Sequence, residues 1–211
     1  MLKRFHIAVL MTGLSTVLAL VGGPFADAAS PAPGLAHATF AGGCFWCMEG
    51  PFDRLPGVVS TTSGYTGGNV KKPSYEQVSS GMTGHAESVD VVYDPAKVTY
   101  AQLLEVFWHN VDPTDGGGQF CDRGNQYRTA IFYHDDEQRR LAEQSKEALE
   151  AAGTLKKKKI VTQIVPATEF YPAEDYHQDY ATRNPLRYKY YRFNCGRDQR
   201  LKELWGEAPA H

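Results

Sequence analysis

The chain has 211 residues, which corresponds to one domain of ordinary size with room for a short additional segment. Hydrophobic residues make up 42% of the chain and charged residues 22%, a mixture typical of globular proteins that excludes a disordered, collagen-like or coiled-coil chain. The formal net charge is −2, so the composition gives no electrostatic support for nucleic-acid binding.

The beginning of the chain has the pattern of a secretory signal. Lys3 and Arg4 precede an apolar stretch, 7–23, and small residues then lead to a cleavage position after Ala28. An uncleaved membrane anchor is the alternative, but this stretch is shorter than the ~20 residues that span a bilayer. We therefore predict export to the bacterial periplasm, with no stable membrane association once the signal is removed. The predicted organisation is a signal peptide at 1–28, a linker at 29–37 and a single domain at 38–211.

Hydrophobic spacing predicts strands and helices that alternate along the rest of the chain. The predicted strands are 39–41, 58–65, 85–93, 128–133 and 160–165. The predicted helices are 44–55, a helix that begins with a capping box at Thr99, and 135–152. After Pro166 the chain has little periodicity, which predicts a long extended C-terminal tail with a short helix at 198–204. This order indicates an α/β (α+β) two-layer sandwich, a mixed sheet with helices packed on it.

Cys44 is the first candidate for chemistry. It follows Gly42 and Gly43 at the end of a strand and opens a predicted helix. Unpaired backbone N–H groups and the positive end of the helix dipole would stabilise a thiolate there, and the thiolate is the nucleophilic form of cysteine. The alternative is an inert cysteine buried among aromatic residues.

Glu87 is the second candidate. It shares strand parity with Val89, Val91 and Tyr93, so its side chain should point toward the apolar face of the sheet. Burial disfavours the charged form of a carboxyl group, and the raised pKa would make Glu87 a proton donor at neutral pH. The alternative is a carboxylate at the rim of the sheet that binds a backbone amide.

Several sequence blocks resemble the A class of peptide methionine sulfoxide reductases, over residues 38–187. The blocks are Gly43-Cys44-Phe45-Trp46, Gly64-Tyr65-x-Gly67-Gly68, Pro73-x-Tyr75-x-x-Val78, Thr83-Gly84-His85-Ala86-Glu87, Asp122-x-Gly124-x-Gln126-Tyr127-Arg128 and Tyr171-x-x-Glu174-x-Tyr176-His177-Gln178. The resemblance implies an α/β sandwich with a long tail. It also implies the thiol-dependent reduction of the S epimer of methionine sulfoxide, which repairs oxidised proteins.

The resemblance also implies roles for individual residues. The Cys44 thiolate attacks the sulfoxide sulfur, and Glu87 protonates the departing oxygen. Methionine leaves, and Cys44 becomes a sulfenic acid that a second thiol converts to a disulfide. A thioredoxin-like reductant then resets the enzyme, and neither a metal nor a cofactor is expected. The remaining matches are Tyr75 and Tyr127 as hydroxyl donors to the sulfoxide oxygen, Phe45 and Trp46 as the pocket for the methyl group, and Asp122 as the residue that orients the substrate backbone.

The sequence leaves the second, resolving thiol open among three cysteines. Cys195 lies in a tail segment where members of the family often carry a resolving cysteine, and we expect it to take this role. Cys47 is closer in sequence, but closing a bridge to Cys44 within a helix would strain the first turn. Cys121 lies beside Asp122 and is the third possibility. Structural pairing is the alternative for all three.

Three other functions are compatible with parts of the sequence. The Cys44-x-x-Cys47 spacing also occurs in thioredoxin-like thiol–disulfide oxidoreductases, which need neither Glu87 nor the tyrosines. A zinc module would have to use all four cysteines, but only one Cys-x-x-Cys pair has ligand spacing. A protein that binds methionine sulfoxide without turning it over is the third alternative. Nothing in the sequence indicates more than a monomer.

Overall fold

The computed structural model describes residues 34–155 and 158–206. The predicted signal peptide, 1–28, lies outside these residues, so its assignment and the predicted export stay predictions. The first strand begins at Ala36, which means that the last two residues of the predicted linker belong to the sheet. Among the described residues, no helix is long and apolar enough to cross a membrane.

The secondary structure follows the predicted alternation of strands and helices. The strands are β1 (Ala36–Gly42), β2 (Val58–Thr66), β3 (Ala86–Tyr93), β4 (Gly118–Gln119), β5 (Asp122–Arg123), β6 (Thr129–Tyr133), β7 (Gln163–Pro166) and β8 (Tyr171–Pro172). The α-helices are α1 (Glu49–Asp53), α2 (Tyr75–Ser79), α3 (Tyr100–His109), α4 (Asp136–Ala152), α5 (Tyr180–Arg183), α6 (Pro185–Asn194) and α7 (Arg197–Trp205). Short 3-10 helices span Phe45–Cys47, Asn125–Tyr127 and Asp175–His177.

Six strands form one mixed sheet in the order β7-β6-β1-β3-β2-β8. Neighbouring strands are antiparallel except for the parallel pair β6 and β7. Strands β4 and β5 pair separately as a small hairpin. The predicted mixed sheet with helices packed on it is confirmed, and β1 and β3 lie at its centre.

The core lies between one face of the sheet and the helices. Phe40 of β1 is fully buried, and its ring stacks on Phe52 at 5.1 Å, Phe107 at 5.3 Å and Tyr100 at 6.1 Å between ring centroids. Burial of such a side chain is worth about 1.5–3 kcal/mol. The helices therefore hold β1 firmly, and β1 leads directly into Cys44.

The predicted helix over 44–55 is broken into two pieces. Phe45–Cys47 form a single 3-10 turn, and α1 begins only at Glu49. Pro51 explains the break, because proline has no amide hydrogen to donate to the carbonyl of Cys47 in a continuous α-helix and is tolerated only in the first helical turn. Cys44 and Cys47 therefore share a tight turn rather than one face of an α-helix.

The C-terminal segment is helical from residue 180 onward, and before that it is extended or irregular apart from the 3-10 turn at Asp175–His177. Helix α7 confirms the predicted short helix over 198–204, whereas α5 and α6 lie where the sequence predicts an extended tail. The aromatic residues of α6 obscure its period. The usable signal was Asn184-Pro185, since asparagine before a proline at the first helical position marks a helix start.

Candidate active site

A two-glycine turn places Cys44 at the end of β1. A Cβ atom on Gly42 would lie 2.6 Å from Sδ of Met48, and one on Gly43 would lie 2.6 Å from Cβ of Gln119. Gly43 also has φ of +83°, a conformation that favours glycine. The chain then folds back at once, and the N–H of Cys47 donates to the carbonyl of Cys44 over 3.0 Å. Both thiols are free and buried, and each affects the pKa of the other.

Glu87 lies on the buried face of β3, as its strand parity predicts. Its side chain is only 2% exposed, and its Oε2 accepts a hydrogen bond from the N–H of Phe45 over 3.1 Å. Burial raises the pKa of Glu87 to about 8, although the Phe45 N–H opposes this shift. The carboxyl group is therefore largely protonated at neutral pH. It does bind a backbone amide, as the alternative interpretation expected, but it is buried rather than at the rim of the sheet.

The two predicted hydroxyl donors face the same centre. Burial raises the pKa of Tyr75 to about 12, with contributions from the charges of Glu87 and Cys44. The pKa of Tyr127 is raised by burial and then by Glu87 and Tyr75. Both tyrosines therefore keep their protons and can donate hydrogen bonds to an oxygen held near Glu87.

Aromatic rings form a wall beside Cys44. The ring of Phe45 is buried and lies 4.9 Å from that of His177, and the half-buried Trp46 stacks on Tyr180 with 3.7 Å between centroids. The Trp46 Nε1–H donates to Nδ1 of His177 over 3.0 Å, and burial lowers the pKa of this histidine. A neutral, fixed, apolar wall of this kind suits a methyl group.

Asp122 lies on the other side of Cys44. It accepts a hydrogen bond from the hydroxyl of Tyr191 over 2.5 Å, and burial raises its pKa. Sγ of Cys195 lies 3.9 Å from its Oδ2, and Cys195 is disulfide-bonded to Cys121. Cys121, Asp122 and Cys195 form the one group of potential metal ligands in the described part of the chain. The two sulfurs are bonded to each other and therefore cannot bind a metal ion.

The charge of the two free thiols differs from the sequence expectation. Burial and the neighbouring Cys47 raise the pKa of Cys44, whereas its position at a helix start predicted a stabilised thiolate. The helix start is a single 3-10 turn, and Glu87 takes the N–H of Phe45. The pKa of Cys47 is instead lowered to about 6, first by the hydrogen bond from the Cys44 thiol and then by the charges of Arg197 and Arg192. The negative charge of the pair therefore lies on Cys47.

The resolving cysteine predicted from the sequence, Cys195, is not a free thiol in this structure. Its bond to Cys121 leaves Cys47 as the free thiol beside Cys44. A role for Cys195 requires this bond to open first, and the assignment stays a prediction.

The structure adds residues that the sequence interpretation did not assign. Glu174 accepts hydrogen bonds from the Tyr75 N–H over 2.9 Å and from the Tyr65 hydroxyl over 2.8 Å, so it fixes the position of Tyr75. Gln178 joins the C-terminal segment to both backbone groups of Ser63 in β2. The block from Tyr171 to Gln178 contained the signal for these residues, but Tyr191 and Arg197 lie outside every quoted block.

Comparisons with known proteins agree with this geometry. The family model described as peptide methionine sulfoxide reductase matches residues 36–209. A peptide methionine sulfoxide reductase MsrA from Bacillus licheniformis is 55% identical over 169 residues, 80% of this chain and 93% of the relative. MsrA 2 from Caulobacter vibrioides is 55% identical over 175 residues, 83% of this chain and 88% of the relative.

Solved structures give the same result. Methionine sulfoxide reductase A of Corynebacterium diphtheriae superposes with a TM-score of 0.65 at 38% identity, over 73% of this chain and 77% of that one. Reduced Mxr1 from Saccharomyces cerevisiae superposes with a TM-score of 0.67 at 34% identity, over 72% of this chain and 86% of that one. The chain thus belongs to the peptide methionine sulfoxide reductase family, and it is an oxidoreductase that reduces methionine sulfoxide.

Proposed function

We propose that this reductase acts on the S epimer of methionine sulfoxide in oxidised proteins, with Cys44 as nucleophile and Glu87 as proton donor. The observation that carries the proposal is the arrangement of the buried Glu87 carboxyl, whose pKa is raised to about 8, beside the Cys44–Cys47 thiol pair. The aromatic wall of Phe45 and Trp46 accommodates the methyl group. Asp122 orients the peptide backbone of the substrate.

Two protons move in the first step, one from the Cys44 thiol and one from the Glu87 carboxyl group. As the Cys44 sulfur attacks the sulfoxide sulfur, the Cys44 proton passes along its hydrogen bond to the Cys47 thiolate. Glu87 gives its proton to the sulfoxide oxygen, and the hydroxyls of Tyr75 and Tyr127 stabilise the charge on that oxygen. The sulfur–oxygen bond of the substrate then breaks as the oxygen passes to Cys44. Methionine and a Cys44 sulfenic acid are the products, with Glu87 ionised.

Cys47 is the thiol best placed for the second step. Its sulfur attacks the sulfenic sulfur of Cys44, a disulfide forms, and the hydroxyl leaves as water with the proton that Cys47 carried. The 3-10 turn favours this bridge, because no α-helix has to unwind. A dithiol protein of the thioredoxin type then reduces the bridge and resets the enzyme.

The substrate assignment is tested with separated S and R epimers of a peptide methionine sulfoxide and dithiothreitol as reductant. We expect turnover of the S epimer alone, and loss of that turnover in Cys44→Ser, because in the proposed scheme Cys44 alone attacks the sulfoxide sulfur. Methionine release is measured by chromatography, and Arg139→Gln on the exposed face of α4 is the control for expression and handling. Turnover of the R epimer alone, or an active Cys44→Ser variant, would contradict the proposal.

The role of Glu87 predicts a pH dependence. Its proton is present below about pH 8 and is lost above it, so the single-turnover rate should fall as the pH rises through 8. Glu87→Gln should lower this rate by ~10²–10⁴-fold and remove the fall above pH 8. The measurement is rapid-quench release of methionine.

A matched control is Glu49→Gln. Glu49 is another buried carboxyl group, and burial raises its pKa to about 7. This variant should keep both the rate and the fall above pH 8. A Glu87→Gln variant with the wild-type rate would show that the carboxyl group is only structural.

The resolving thiol is assigned by peptide mapping after one equivalent of sulfoxide. We expect a Cys44–Cys47 bridge beside the intact Cys121–Cys195 bond, because the two free thiols belong to one tight turn closed by the hydrogen bond from the Cys47 N–H to the Cys44 carbonyl. In Cys47→Ser, methionine should still form once, at a lower rate because the Cys44 proton loses its acceptor, and a dimedone-reactive sulfenic acid should persist on Cys44. A Cys44–Cys195 bridge together with a new free thiol on Cys121 would instead support the sequence-based assignment of Cys195.

A further inference from the structure

Arg197 is the largest fully buried side chain of the described residues, at 1% exposure. It opens α7, and its guanidinium lies beneath the turn that carries the thiol pair. Nη2 donates to the carbonyl of Gly42 over 3.1 Å and to the carbonyl of Asn110 over 2.7 Å, and it lies 3.0 Å from Sδ of Met48. Gly42 ends the strand that leads to Cys44, and Met48 is the residue after Cys47. The guanidinium therefore contacts the chain on both sides of the two thiols.

The positive charge of Arg197 has no carboxylate partner. Within residues 34–155 and 158–206, no carboxylate lies within ion-pair distance of it, and its Nε has no hydrogen-bond acceptor. The two other arginines of this region do have such partners, since Arg192 pairs with Asp198 and Arg200 pairs with Asp112. A buried cation is unfavourable unless a negative group compensates it. The site of Arg197 therefore favours a negative charge nearby that is not part of a direct ion pair.

Two groups near Arg197 can supply that charge. Asp122 is the first: burial raises its pKa, whereas the hydrogen bond from the Tyr191 hydroxyl and the charge of Arg197 both lower it. Cys47 is the second, and the charges of Arg197 and Arg192 both lower its pKa, together with hydrogen bonds from the Cys44 thiol and the Tyr188 hydroxyl. Glu87 and Asp122 act on Cys44 in the opposite direction. Because Asp198 neutralises much of the charge of Arg192, Arg197 is the principal counter-charge of the pair.

We propose that Arg197 is a positioning residue that holds the negative charge of the thiol pair on Cys47. This inference rests on the proposed function, in which Cys47 accepts the proton of Cys44 and then resolves its sulfenic acid. Arg197 touches neither the substrate nor the reacting atoms in this scheme. It acts by keeping the Cys47 sulfur unprotonated until Cys44 attacks.

The Cys121–Cys195 disulfide links the two chain segments that pack around the Arg197 guanidinium. Phe120 precedes Cys121, and its ring lies 4.5 Å from Cζ of Arg197, which follows Cys195 by two residues. Phe120 has φ of +57°, an uncommon conformation for a residue with a side chain. The bond joins the two segments that enclose the guanidinium, so it supports the position of Arg197.

The experiment measures the ionisation of Cys47 directly. In a Cys44→Ser chain with the Cys121–Cys195 bond intact, the rate of iodoacetamide alkylation at Cys47 is followed against pH. The midpoint should lie below the ordinary thiol value of ~8.5. Arg197→Gln should raise it by at least about one unit, because an opposite charge at this range shifts a pKa by ~1–3 units. Arg197→Lys should restore part of the shift.

Arg200→Gln is the matched control, since this arginine lies one helical turn further along α7 and is paired with Asp112 and Glu203. It should leave the midpoint unchanged. An unchanged midpoint in Arg197→Gln would overturn the inference. If Arg197→Gln does not fold, the chain that keeps Arg197 gives the answer. A midpoint of Cys47 alkylation at or above ~8.5 in that chain would overturn the inference equally. A midpoint below ~8.5 that Arg197→Lys raises would support the inference.

Single-turnover chemistry separates the two proposals. In the chain with Cys44 present, Arg197→Gln should still yield one methionine per chain at completion, while the rate at pH 7 falls by up to about 10-fold with the fraction of thiolate. No methionine from the unsubstituted chain would refute the proposed function itself. A normal yield and rate in Arg197→Gln would refute only the role of Arg197.

Discussion

The hydrogen bond from the Phe45 N–H to the buried carboxyl of Glu87, 3.1 Å long, joins the turn that carries Cys44 to the central strand β3. Both partners are inaccessible to solvent, so the contact is made in a low dielectric, where an unpaired polar group is costly. It orients the carboxyl group and fixes the start of the 3-10 turn. The nucleophile and the proton donor are thus held by one contact between the turn that follows β1 and strand β3, and β1 and β3 are the two central strands of the sheet.

The C-terminal segment completes this centre from outside the sheet. Glu174 and His177 support Tyr75 and Trp46, Tyr191 supports Asp122, and Arg197 lies under the thiol pair. Each of these side chains reaches the site from a segment more than 80 residues away in sequence from Cys44. The segment gains its position from hydrogen bonds such as those of Gln178 to Ser63 and from the disulfide at Cys195. Without the C-terminal segment, the side chains of the site would lack the hydrogen bonds that fix their positions.

Some of this could be predicted from the sequence. The period-2 alternation of β3 placed Glu87 on the buried face, and the glycines before Cys44 marked the turn, because both features follow from local geometry. The family resemblance supplied Tyr75, Tyr127 and Asp122, and all three face the thiol pair.

The rest depends on contacts that local patterns do not contain. The charge of the thiol pair depends on burial and on Arg197, a residue 150 positions after Cys47. The pairing of Cys121 with Cys195 depends on how the β4–β5 hairpin meets the end of α6. Helix α7 agrees with the predicted short helix over 198–204, but α5 and α6 were missed; in α6, tyrosines occupy both faces and hide its amphipathic period.

The central claim is that a neutral carboxylic acid and a thiolate coexist in one buried site at neutral pH. Infrared difference spectra of the unsubstituted chain minus Glu87→Gln, recorded as the pH is raised, test this claim most directly. The account predicts a carbonyl stretch of a protonated carboxyl group at pH 7 that titrates away with a midpoint near 8. A carboxylate band at pH 7, with no protonated form above pH 5, would contradict it.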